Sequence, residues 1–95
     1  MALAQSVNPK PTLGRERVTH LAQVVPIISE KYDLSPRMSA EEVLAALRGI
    51  AGYTDTRSRW LAAFASPLGR VIAGKGVDLN TALTSIVGML PAARA

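Results

Sequence analysis

The residues best suited to bind a metal ion are His20 and Glu16, which are four positions apart. That spacing places both side chains on one face of a helix, where they can form half of a metal site or an ordinary helix-stabilising pair. The chain has no cysteine and no second histidine, and no further ligands follow at a spacing typical of metal sites. We therefore predict no metal site and no cofactor.

Residues that could act in catalysis lack the partners that catalysis requires. Ser39 and Ser66 each precede a predicted helix, where a serine hydroxyl caps free backbone N–H groups. Glu41 and Glu42 are adjacent, so their side chains diverge on a helix and are poorly placed for paired acid–base chemistry. Residues 74–76, Gly-Lys-Gly, lack the other glycine and the Ser or Thr of a phosphate-binding loop. The sequence therefore predicts that the protein is not an enzyme.

Four basic residues in the second half of the chain could contact nucleic acid. A helix over residues 39–51, a turn at 52–54 and a helix over 55–65 form an arrangement like a helix–turn–helix motif. The second helix begins with Thr, Arg, Ser and Arg, which are residue types that contact phosphates and base edges. Arg48 and Ser58, however, occupy positions where such motifs usually carry small or branched apolar residues. The candidate nucleic-acid-binding residues are Arg57, Arg59, Arg70 and Lys75.

The last predicted helix is a second candidate binding surface. No charged residue occurs between Leu79 and Ala93, and apolar residues fall on more than one face of this helix. A helix that is apolar around much of its circumference is either central in the core or docked on a partner. The mean hydropathy of +0.19 is high for a small soluble monomer and favours a partner. The candidate interface residues are Leu79, Leu83, Met89 and Leu90.

The charge is distributed unevenly along the chain. The net charge is +4 and the isoelectric point is about 10.1. Residues 21–56 carry a net charge of −2, whereas residues 57–95 carry a net charge of +4. Such asymmetry is found on nucleic-acid-binding faces and on surfaces that bind acidic partners, and also on ordinary soluble domains.

Helical periodicity and capping signals predict five helices. The first covers about residues 15–33, and Pro26 within it predicts a kink or a division into two shorter helices. Ser39 and Glu42 fit a capping box at the start of the second helix. The other predicted caps are Thr54 or Asp55, Ser66 followed by Pro67, and Asp78.

These patterns predict an all-α fold, a compact orthogonal or irregular bundle of about five short helices. Residues 1–14 contain two prolines and are predicted to form a flexible N-terminal arm, and residues 15–95 a single helical domain. The predicted core comprises Val18, Leu21, Val25, Ile28, Leu44, Leu47, Ile50, Trp60, Leu61, Phe64, Leu68, Val71, Ile72, Leu83, Ile86, Val87 and Leu90.

We expect a non-catalytic protein-binding protein: an adaptor, an assembly component or an inhibitor that binds another protein or associates with itself. The alternative is a small DNA- or RNA-binding protein that resembles a helix–turn–helix domain. The first residues lack the features of a signal peptide, and no uncharged run is long enough to span a bilayer. We therefore expect a cytoplasmic protein with no membrane partner.

Overall fold

Five helices make up most of the chain from residue 14 to residue 91, the part that the computed structural model describes. No strand occurs within this range, so the predicted all-α fold is confirmed. All but the last residue of the predicted arm at 1–14 lies outside the described residues. None of the five helices is long and apolar enough to cross a membrane. The helices are α1 (Arg15–Lys31), α2 (Ala40–Ala51), α3 (Thr56–Ala65), α4 (Pro67–Gly74) and α5 (Leu79–Met89).

Helix α1 continues through Pro26 instead of dividing there. Buried residues occur on both sides of the proline, Leu21 before it and Ile28 after it, and they bury one common face of the helix. Pro26 itself is exposed, as is Ala22, whose carbonyl oxygen loses its usual partner four residues later. That carbonyl oxygen can accept a hydrogen bond from water instead. Packing of the opposite face is then enough to keep α1 a single helix.

The connection between α1 and α2 contributes to the core, which the sequence analysis did not predict. Leu34 is fully buried and Met38 nearly so, although both lie between the helices. Asp33 turns the chain with a φ of 52°, a left-handed conformation that Asp tolerates better than most residues. The next backbone N–H, that of Leu34, donates to the carbonyl oxygen of Ser29 at 2.9 Å.

Three predicted caps begin helices as expected. The Ser39 hydroxyl accepts from the backbone N–H of Glu42 at 3.2 Å, and the Glu42 carboxylate accepts from that of Ser39 at 3.0 Å. Asp55 caps α3, and Ser66 caps α4 with Pro67 as its first residue. At the start of α5, Asp78 occupies the capping position, but its carboxylate accepts from the hydroxyl of Thr81 at 2.6 Å and from no backbone N–H.

Each helix packs on the next along the chain, and α2 also contacts α4. Side chains at the end of α1 then connect it to α5. The buried hydroxyl of Tyr32 donates to the carbonyl oxygen of Ala82 at 3.3 Å. The ammonium group of Lys31 donates to the hydroxyl of Ser85 at 2.9 Å. These bonds bring the first and last helices together around a shared core.

Most of the predicted core is buried, with two errors on α3. Leu61 is 61% exposed and Phe64 is 47% exposed, so their prediction as core residues is wrong. Half-buried members of the predicted core are Val18, Leu44, Trp60, Val71 and Val87. The core residues that the prediction missed are Val24, Tyr32, Leu34, Met38, Val43, Ala51, Ala63 and Ala82.

On α3 the small residue Ala63 is buried in place of Leu61 and Phe64, and α4 approaches its backbone closely. Ala63 is fully buried, and a Cβ atom on Gly69 would overlap the carbonyl oxygen of Ala63. The absence of a side chain at Gly69 therefore lets α4 lie directly against the Ala63 side of α3. Leu61 is two residues from Ala63, about 200° around the helix, and consequently faces solvent.

We predict that Gly69→Ala lowers the free energy of unfolding by about 1–3 kcal/mol, because backbone cannot yield to the new methyl group as a side chain could. The measurement is urea denaturation followed by circular dichroism. Gly49→Ala is the matched control, since a Cβ there meets nothing within 4 Å. That control should be neutral or more stable by up to about 1 kcal/mol. Equal destabilisation by both substitutions would contradict the close approach.

Candidate protein-binding surface

The outer side of α3 exposes apolar side chains. Arg57, Leu61 and Phe64 are all exposed, and their spacing of four and three residues places them on one face. We call these three residues the α3 face. The Trp60 ring borders it, with its centroid 6.0 Å from that of Phe64 and the two rings tilted by 38°. The result is a largely apolar helix surface in contact with water.

A groove between α2 and α3 adjoins the α3 face. Its cavity has a volume of about 260 Å³ and shares Ala45 and Ala46 with a second cavity of about 310 Å³ that extends to Met38 and Pro67. Ala65 lines the groove one turn after Leu61, so the two surfaces are continuous. The lining residues of the first cavity are Ala45, Ala46, Gly49, Ile50, Tyr53, Ala62, Ala65 and Ser66.

Small side chains line much of this groove. Alanine and glycine on the facing sides of α2 and α3 leave room that larger side chains would fill. Grooves between helices are common sites for an amphipathic helix, whose apolar anchors repeat every three or four residues. The exposed Leu61 and Phe64 side chains offer such anchors a second apolar surface beside the groove.

The structure places the four predicted interface residues of α5 in the core or against it. Leu83 is fully buried and Leu90 is 8% exposed, so neither can contact a partner while the domain is folded. Leu79 and Met89 are partly buried and pack against the core. The apolar character of α5 is therefore explained by its position in the core.

Two of the four predicted nucleic-acid-binding residues interact within the fold. The Nη2 of Arg59 donates to the carbonyl oxygen of Tyr53 at 3.3 Å, which holds the guanidinium group against the turn before α3. The Nζ of Lys75 lies 3.5 Å from the Asp33 carboxylate, and the lysine side chain is only 21% exposed. These contacts leave the two cations less available to a phosphate backbone.

The other two, Arg57 and Arg70, are exposed on α3 and α4. The predicted arrangement of two helices and a turn is present, with residues 52–55 joining α2 to α3. A recognition helix reads bases with polar side chains near its N-terminal end. Here the exposed side of α3 carries Leu61 and Phe64 after Arg57, which suits an apolar partner better than a base edge.

His20, which shares the spacing of a metal half-site with Glu16, joins two helices. Its Nε2 lies 3.0 Å from the carbonyl oxygen of Met89, which connects α1 to the end of α5. Glu16 is exposed on the same helix. Within residues 14–91, no three His, Asp or Glu side chains are grouped so that they could hold a metal ion.

No protein-family model, no curated protein and no solved structure matches this chain. The function must therefore be inferred from the residues and their geometry.

Asp55 positions the start of α3, and this contribution should depend on pH. The backbone N–H of Ser58 donates to its carboxylate at 2.8 Å, and this bond chiefly holds the pKa of Asp55 below the ordinary value of 3.8. A carboxyl with a lower pKa in the folded state stabilises the fold above the unfolded-state pKa and loses that effect as the pH falls through the folded-state pKa.

We therefore expect Asp55→Ala to be less stable than the wild type at pH 7, and the difference to shrink as the pH falls below 3.8. Thermal unfolding across a pH series measures this. Ser66→Ala is the control, because its capping hydroxyl does not titrate in this range and its effect should stay constant. A constant difference for Asp55→Ala as well would show that the carboxylate charge does not stabilise the helix.

Proposed function

We propose that this protein is a non-catalytic protein-binding module, acting as an adaptor, an assembly component or an inhibitor, and that it binds through the α3 face. The observation that carries the proposal is the exposure of Leu61 and Phe64 on the same side of one helix. Ala63, on another side of the same helix, is fully buried.

Burial energetics support this assignment. Fully burying a Leu or Phe side chain contributes about 1.5–3 kcal/mol, and the folded chain forgoes roughly half of this at Leu61 and Phe64, which are 61% and 47% exposed. Single exposed apolar residues are normal on protein surfaces, but contiguous ones next to a groove are typical of binding sites. Here the α3 face, the bordering Trp60 ring and the groove form one continuous surface. A partner that covers this surface would recover the hydrophobic free energy.

This proposal predicts a specific loss of binding. Peptides selected from a displayed random-peptide library on the full chain should bind Leu61→Ser/Phe64→Ser at least about tenfold more weakly, a loss of about 1.4 kcal/mol. Because Phe64 is 47% exposed and its ring lies beside that of Trp60, the double variant should unfold at a somewhat lower temperature, and binding is compared well below that temperature.

The matched control is Ile27→Ser, because Ile27 is 55% exposed on α1, away from this surface. Selected peptides should bind that variant as they bind the wild type. Peptides that bind all three proteins equally, or a selection that enriches no peptide, would count against the proposal.

Nucleic-acid binding is the second candidate, because Arg57 is exposed in the first turn of α3 and Arg70 is exposed on α4. Lysine and arginine contacts to phosphates make such binding strongly salt-dependent. Since the fold engages Arg59 and Lys75, two of the four candidate cations remain for phosphate contacts, and we expect little binding of a mixed-sequence duplex at about 200 mM salt.

Fluorescence anisotropy of a labelled duplex at about 50 and 200 mM salt measures this. The control compares Arg57→Ala with Leu61→Ser/Phe64→Ser. Tight binding at the higher salt that needs Arg57 but not the two apolar residues would replace the protein-binding proposal with the nucleic-acid one.

A further inference from the structure

We infer that the partner of the α3 face is an acidic amphipathic segment, with apolar anchors for Leu61 and Phe64 and a carboxylate for Arg57. This inference rests on the proposed function and specifies the chemistry of the partner. It follows from the charges on and around the surface.

Helix α3 carries basic residues and no acidic one. The acidic residues nearest to this surface are Asp55, whose carboxylate caps α3, and Glu42, whose carboxylate accepts from the backbone N–H of Ser39. Between Asp55 and Asp78 there are four basic residues and no acidic one. Arg59 and Lys75 interact within the fold, with the Tyr53 carbonyl oxygen and the Asp33 carboxylate respectively. The positive charge that remains exposed on α3 belongs to Arg57.

Arg57 belongs to the α3 face itself. It lies one helical turn before Leu61 and is exposed. It forms no ion pair with any residue from 14 to 91. A guanidinium group next to an apolar patch becomes partly shielded from water when a partner covers that patch. Shielding an unpaired charge is unfavourable, whereas a carboxylate on the partner can accept two hydrogen bonds from it.

These charges disfavour a second copy of this chain as the occupant. Two copies related by a two-fold axis would bring the same surface together, each with its own Arg57. Each chain also carries a net charge of +4, so the copies repel one another. An acidic partner is attracted by the same charges, which favour its association and its orientation.

The shape of the surface favours a helical segment. Leu61 and Phe64 are three residues apart, which matches apolar anchors spaced by three or four residues on a facing helix. Alanine and glycine in the adjoining groove, including Ala45 and Gly49, allow the backbone of such a segment to approach closely. An acidic residue about one turn from the anchors would then face Arg57.

The experiment uses the full chain and a displayed library of random peptides of about 16 residues, roughly four helical turns. We expect the enriched peptides to carry an excess of Asp and Glu together with apolar pairs spaced by three or four. Replacing their Asp and Glu by Asn and Gln should weaken binding to the wild type about tenfold. The same replacement should have little effect on binding to Arg57→Gln, since the charge pair is already lost. Arg15→Gln is the matched control, because Arg15 is exposed on α1 outside this surface, and the tenfold effect should persist there.

The outcomes separate this inference from the proposed function. Peptides that require Leu61 and Phe64 but show no acidic excess overturn the inference and leave the proposed function intact. Peptides that do not require these two residues overturn both. Sedimentation velocity tests whether two copies of this chain associate through the α3 face. A dimer that dissociates when Leu61→Ser/Phe64→Ser is introduced would overturn the inference of an acidic partner in favour of self-association. Binding of a DNA duplex that requires Arg57 but not Leu61 and Phe64 would overturn the inference of an acidic partner in favour of a nucleic-acid partner.

Discussion

The arrangement of this domain depends on the contact between Gly69 of α4 and the backbone of Ala63 in α3. Because no Cβ atom intervenes, the two helices meet backbone against backbone at this point. The contact fixes how closely α4 approaches the last turn of α3, which contains Ala63. Ala63 is buried and Leu61 faces water, although leucine is the larger and more apolar residue.

The sequence allowed the helices and most of their ends to be predicted from local chemistry. The capping box at Ser39, the aspartate at 55 and the Ser66-Pro67 pair act within one turn of chain, so their sequence signals are sufficient. The continuity of α1 through Pro26 could not be decided in this way. It depends on residues of other helices that pack against Leu21 and Ile28.

The exposed apolar side of α3 could not be predicted either, because it also depends on how another helix packs. Apolar residues surround much of α3, and periodicity alone does not show which of Trp60, Leu61 and Phe64 faces inward. The clue lay in the next helix, where a glycine directly after Leu68 allowed the backbones to approach. The apolar character of α5 was equally ambiguous. With α5 buried and Leu83 fully so, α3 is the described helix that exposes two large apolar side chains on one face.

The bond between His20 and Met89 has a consequence for how the domain could be attached to other proteins. It places the beginning of α1 beside the end of α5, at 3.0 Å between the ring nitrogen and the carbonyl oxygen. The chain therefore enters and leaves this bundle at neighbouring points. Domains whose ends are close together can be inserted into a loop of a host protein, or circularly permuted, with little disturbance of either fold. This bundle should tolerate insertion into a loop of a host protein, and the α3 face would then form part of the surface of that protein.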